Sequence, residues 1–152
     1  MDSNFTFLDT GPLKNNELFL SLKNKTPADE SKGFVPAYIF DICDTMTGAK
    51  MGEISLRVGY NENTYYGGNI GYEVYPQYRG RHYAAKACRL LVPLATQHHM
   101  HKLVITCNPG NLPSRRTCEI FGAKMVDLVT LPPSNDMYLD GERAKCLFEL
   151  IL

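Results

Sequence analysis

GYEVYPQYRGRHYA, residues 71–84, is an alternating apolar strand that breaks at Pro76 and passes through a basic, glycine-centred turn into a long amphipathic segment. A turn of this kind at the start of a helix presents backbone N–H groups with no intrahelical partner. Together with the helix dipole they form a site for phosphate oxygens. Arg79 and Arg81 add positive charge at the same place. Taken alone, the stretch is equally consistent with a basic connection that only folds, because short glycine patterns recur widely.

Working outward from this junction gives the architecture. Residues 69–75 read as a strand, and beyond the turn Tyr83, Ala84, Ala87, Cys88, Leu91, Leu94 and Ala95 recur at helical spacing, predicting a helix over 81–99 with one buried stripe. Pro93 inside it should kink or shorten that helix. Residues 102–107 form the next strand, and a strand-helix-strand order normally gives two parallel strands with a right-handed crossover. Upstream, 38–43 and 51–58 alternate around a turn at Thr47 and Gly48, the pattern of an antiparallel hairpin. Downstream, Asn111, Pro113 and Ser114 suit a helix start, Gly122 a helix stop, and 126–131 with 146–151 a terminal antiparallel pair. The N-terminal third is less regular: 5–8 and 17–22 read as strands, and 26–34 and 59–68 as loops. The expected class is α/β (α+β), with a mixed, mostly antiparallel central sheet containing a central parallel pair, in a single domain over 1–152.

Composition bounds the function. The chain of 152 residues carries 16 Lys and Arg against 16 Asp and Glu, so a broad basic face for nucleic acid is not expected. No apolar run is long enough to span a bilayer, and Asp2 with no following apolar run argues against a secretory signal, so a soluble, cytoplasmic protein is expected. Five scattered cysteines without a CxxC pair suggest neither disulfides nor a zinc site. His98, His99 and His101 have no carboxylate or cysteine partner in the pattern and read as favourable charge near a helix C-terminus rather than a metal site.

Two segments carry a resemblance. Gln77, Tyr78, Arg79, Gly80, Arg81 and His82 occupy the places of the Q/R-x-x-G-x-G/A loop of the GNAT superfamily of acyl-CoA-dependent N-acetyltransferases, with His82 where Gly or Ala is usual. Asn111, Ser114, Glu119 and Gly122 fit the pattern N-x-x-S-x-x-x-x-E-x-x-G-F of its ribosomal-protein N-terminal acetylase branch, with Ala123 in place of Phe. The chain resembles that branch over residues 36–131, although the two helices the family places early in the chain have no counterpart pattern before Pro36.

The resemblance implies a GNAT-like fold, acetyl-CoA as cosubstrate without a metal, and transfer of the acetyl group to a primary amine, on a peptide N-terminus or a small molecule, by direct attack. Arg79, Gly80, Arg81, His82, Tyr83 and Ala84 would hold the pyrophosphate, the main chain of Val74 and Tyr75 and the side chain of Asn111 would bind the pantetheine arm, and a backbone N–H near Val74 would face the thioester oxygen. Glu73 would act as base, unless it is a solvated strand residue. Many relatives carry a tyrosine acid where Cys118 stands here, so Ser114 is the replacement candidate; its other role is a helix cap, and thiolate departure without an acid stays open. Cys118 as an acyl carrier is disfavoured because no base pairs with it. The alternative is a non-catalytic acyl-CoA-binding or assembly protein that keeps the fold. A third reading, an ATP or dinucleotide enzyme, lacks G-K-[ST] and G-x-G-x-x-G. The acceptor's identity and a possible homo-oligomer are not legible.

Overall fold

A computed structural model describes residues 5–152; Asp2, used above in reading the N-terminus, lies outside the described residues. In chain order the elements are β1 (Leu13–Lys14), β2 (Leu18–Thr26), β3 (Ala37–Asp44), β4 (Lys50–Arg57), α1 (Glu62–Gly67), β5 (Ile70–Val74), α2 (Tyr83–Gln97), β6 (Lys102–Cys107), α3 (Leu112–Phe121), β7 (Lys124–Thr130), α4 (Asp136–Leu139) and β8 (Ala144–Ile151). Short 3₁₀ turns lie at Glu30–Lys32 and Pro76–Tyr78.

The predicted hairpin is β3 and β4, whose turn is held by Asp44, its side chain accepting from the N–H groups of Met46 and Thr47. It sits inside an antiparallel sheet of order β1-β2-β3-β4-β5. Alternation along β4 buries Ile54 and Leu56 toward α2 and turns Glu53, Ser55 and Arg57 to the opposite face. On β5, Gly71 pairs with Ser55 and Glu73 with Glu53, so this second face carries Glu73 as well. The buried stripe of α2, Ala84, Ala85, Ala87, Cys88, Leu91, Leu94 and Ala95, is the one read from the spacing. Pro93 lies on its exposed side and does not shorten it.

The terminal strands pair as expected, but β8 also takes β6 as a partner, giving a second antiparallel sheet of order β6-β8-β7. The expected parallel pair, 69–75 with 102–107, is therefore not a hydrogen-bonded ladder. The two segments meet at one point: Asn69 N–H donates to Val104 O at 2.6 Å, and Val104 N–H donates to Asn69 Oδ1 at 2.9 Å. Beyond it the outer edge of β5 is left without a strand. Val104 turns its N–H and carbonyl to Asn69, so β8 holds the other edge of β6 over six residues, and the groups on the open edge of β5 face a cavity.

Three local readings change. Residues 5–8 form no strand, and the first strand begins at Leu13. Residues 59–68 contain α1, started by a capping box in which Asn61 and Thr64 bond each other's backbone N–H groups. Residues 26–34, read as a loop, hold a 3₁₀ turn and an isolated bridge between Asp29 and Phe34.

The histidine cluster also resolves differently. Leu8 N–H donates to the phenol oxygen of fully buried Tyr38 at 2.7 Å, and that oxygen lies 2.7 Å from Nε2 of His98, which stacks on Phe5. The phenol oxygen and Nε2 share one hydrogen bond whose donor depends on the imidazole tautomer, so His98 is half-buried in a side-chain contact rather than presented as a helix-end charge. Burial, and then His99, hold its imidazole below the ordinary 6.5. A histidine with a depressed folded pKa contributes stability that is complete above about pH 6.5 and lost as pH falls toward the folded value. Hydrogen exchange of the Leu8 amide should accordingly speed up relative to core amides as pH drops below that range, after correction for intrinsic rates. The His98→Gln variant should flatten the dependence, and an unchanged profile in that variant would remove His98 as its cause.

Candidate active site

The gap left between β5 and β6 is a cavity of about 770 Å³ that runs from the start of α2 to the face carrying Arg57. Among the described residues Arg57, Arg79, Arg116 and Lys145 line it, Lys145 paired with Glu142 at 2.6 Å, against the carboxylate of Glu73. In a chain with no net charge, this is a cleft with local positive excess, suited to an anionic ligand.

At one end stands the opening of α2. Gly80 has φ +90°, a conformation that disfavours any side chain, and His82, the N-cap, has φ 61° and ψ 27°. The left-handed backbone explains why Gly is usual at the position of His82, and histidine is among the residues that tolerate it. Its side chain makes no capping hydrogen bond, so the first N–H groups of α2 remain directed at the cleft. Gly80, His82, Tyr83, Ala84 and Arg79 line the cavity; Arg81 is exposed and does not.

Along β5, Arg57 N–H donates to Asn69 O and Tyr75 N–H to Met51 O at 2.8 Å, so odd-numbered residues face β4. Alternation of an antiparallel ladder then turns the N–H groups of Tyr72 and Val74 to the open edge. Tyr75 lies outside the cavity and its N–H is already used, so the sequence expectation for its main-chain donor does not fit. The Val74 carbonyl accepts from Arg79 Nε at 2.9 Å. Glu73 is exposed at the cavity wall, on the same face as Arg57.

On the opposite wall Asn111 is the N-cap of α3, its side chain accepting from Ser114 N–H at 3.1 Å. Capping thus falls to Asn111. That frees the Ser114 hydroxyl, which lies 2.6 Å from the phenol oxygen of Tyr72. Sequence reasoning missed Tyr72: its partner is 42 residues away, and a tyrosine on an alternating strand carries no signal beyond core packing. Burial raises the Tyr72 phenol and keeps it protonated, and either hydroxyl of the pair can donate to the other. Cys118 is fully buried and its thiol is pushed up to about 12 by desolvation and then by Cys107 and Cys146, which leaves almost no thiolate for acyl transfer. Among the described residues no group of three His, Cys, Asp or Glu side chains could hold a metal, all five cysteines are free, and no helix is long and apolar enough to cross a membrane.

Residues 13–124 match the model of the acetyltransferase (GNAT) domain. The uncharacterized N-acetyltransferase YnaD of Bacillus subtilis (strain 168) is 26% identical over 102 residues, which cover 66% of this chain and 55% of that protein. The chain thus spans about half the length of this curated relative. A putative ribosomal-protein-serine acetyltransferase from Vibrio cholerae has the same fold, with a TM-score of 0.67 and 18% identity over 100% of both chains. So does RimL, the ribosomal L7/L12 alpha-N-protein acetyltransferase solved with coenzyme A, with a TM-score of 0.68 and 11% identity over 93% of this chain and 98% of that one. With the family model covering well over half of its residues, the chain belongs to the GNAT acetyltransferase family.

Proposed function

We propose that this protein is a cytoplasmic acetyl-CoA-dependent N-acetyltransferase that modifies a primary amine by direct attack. The observation that carries the reading is the cleft itself: free helix N–H groups and Arg79 at one end, Glu73 at the other, and the open edge of β5 between them. Residues present fit the cosubstrate. The loop from Arg79 to Ala84, with Arg116 nearby, would hold the pyrophosphate, and Val74 with Asn111 would hold the pantetheine arm. Acetyl-CoA, when bound, supplies the activated acetyl group.

This chain's own residues then handle charge and protons. Val74 N–H, turned to the open edge, is the donor for the acyl oxygen as negative charge develops on it; one such donor is commonly worth about 3 kcal/mol of barrier. Glu73 takes the proton of the attacking amine, directly or through a water. The Ser114 hydroxyl, held in place by its 2.6 Å contact with Tyr72, gives a proton to the leaving sulfur and regains one from solvent through the open cleft.

The test is release of free CoA thiol from acetyl-CoA when the purified protein is offered a panel of amines, peptides and amino acids. Acetyl-CoA that stabilises the protein thermally while no acceptor releases thiol would favour the alternative of a non-catalytic acyl-CoA-binding protein.

A further inference from the structure

A second cavity of about 730 Å³ lies between the 27–36 connection, α1 and the 131–137 segment, and both Arg57 and Gly67 line it together with the first. The two cavities therefore meet at the Arg57 guanidinium. That side chain rises from β4 onto the face it shares with Glu73, directly above Gly71, where an added Cβ would lie 2.7 Å from Nη2. A glycine at this point of β5 leaves the guanidinium room to lie across the strand.

Its hydrogen bonds are incomplete. Nη1 donates to Gly67 O and Gly68 O, both at 3.0 Å, which uses both hydrogens of that nitrogen. No carboxylate among the described residues pairs with it. The edge formed by Nε–H and Nη2–H has no protein acceptor among them either, and it is the edge that matches a planar carboxylate with two parallel hydrogen bonds. A half-buried guanidinium held in place by two carbonyls, with its bidentate edge free at the meeting point of two cavities, is built to receive an anion.

Its position narrows the anion. Gly71 and Glu73 are alternate residues on one face of a strand, so the guanidinium above the first and the carboxylate of the second stand about 7 Å apart along β5. On the reading that Glu73 is the base, an amine activated there with an acid group bound at Arg57 must carry the two groups within a few bonds of each other. We propose that the acceptor is an amino carboxylate, and that Arg57 selects it by binding the carboxylate. The source is either a free amino acid or a peptide whose first residue carries an acidic side chain; the second cavity has room for whatever extends beyond Arg57.

The experiment compares matched acceptors on the full chain: free amino acids, peptides beginning with Asp or Glu, and the corresponding amines without the carboxylate, with thiol release followed for wild type, Arg57→Gln and Arg57→Lys. Wild type should favour the carboxylate-bearing member of a pair by about 100-fold in kcat/KM, a discrimination of the size expected when a buried charged partner is left unmatched. Arg57→Gln should abolish the preference by losing the carboxylate acceptors alone, with the KM for acetyl-CoA unchanged, and Arg57→Lys should restore little because it lacks the fork. Preference for free amino acids or for acidic peptides identifies the source.

Uncharged amines serving as well as amino carboxylates, or Arg57→Gln lowering both members of each pair equally, would overturn the proposal while leaving the acetyltransferase reading intact. A binding measurement works without turnover: amino acids or peptides beginning with Asp or Glu, at millimolar concentration, should raise the melting temperature of the CoA-loaded wild type and not of Arg57→Gln. Absence of that shift in the wild type counts against the proposal whether or not the protein is an enzyme.

Discussion

Asn69→Ala should lower the unfolding free energy by about 3–5 kcal/mol, the largest stability loss expected from a single side chain outside the apolar core. Asn69 is fully buried and joins the two sheets. Its Oδ1 accepts from Val104 N–H at 2.9 Å, and its Nδ2 donates to Arg57 O at 3.1 Å and Gly59 O at 2.8 Å. Alanine keeps the backbone bond to Val104 O but strands one N–H and two carbonyls where water has little access, and each such loss costs about 1–3 kcal/mol. Urea denaturation of wild type and variant is the measurement. A loss below about 1 kcal/mol would mean that water replaces the side chain and that the sheets are held together elsewhere. Because the same residue sets the point from which β5 and β6 separate, acetyl-CoA affinity in the surviving folded protein should fall as well.

Glu73→Gln should reduce kcat by about 10²-fold or more, with acetyl-CoA binding unchanged. The substitution keeps shape and hydrogen-bonding capacity and removes the ability to accept a proton. Among the described residues no ion pair ties Glu73 to a structural partner: its cross-strand neighbour Glu53 takes the nearby cations, Lys23 at 3.0 Å and Lys50 at 3.2 Å, and Glu73 stands at the cavity wall. The defect should shrink as pH rises, because an amine that loses its proton to solvent no longer needs a base. Full turnover across the pH range with the best acceptor would place the base elsewhere.

Both predictions depend on contacts of different legibility. The β3–β4 hairpin, the stripe of α2 and the Asn111 and Gly122 ends of α3 follow from signals confined to a few neighbouring residues: alternation, helical spacing and capping chemistry. The capping box of α1 was equally local, four residues with Asn61 and Thr64 at its ends, and was hidden by the Tyr- and Gly-rich composition around it. Residues 5–8 carry apolar side chains like a strand's, yet pack instead around Tyr38 and His98, partners no local pattern announces.

The chain's local chemistry alone determined that a basic, glycine-centred turn opens a helix after a strand and that a second capped helix follows one strand later; Glu73 and Ser114 were singled out through the family resemblance. Tertiary structure decided the rest: that β5 and β6 part beyond Asn69 and leave the cleft between them, that the Ser114 hydroxyl meets Tyr72, and that Arg57 lies over Gly71 with one edge free. The division has a physical cause. Periodicity and capping are written within one or two turns of chain, whereas strand partnership and side-chain pairing across 14 or 42 residues depend on which distant surface competes best for the same hydrogen bonds.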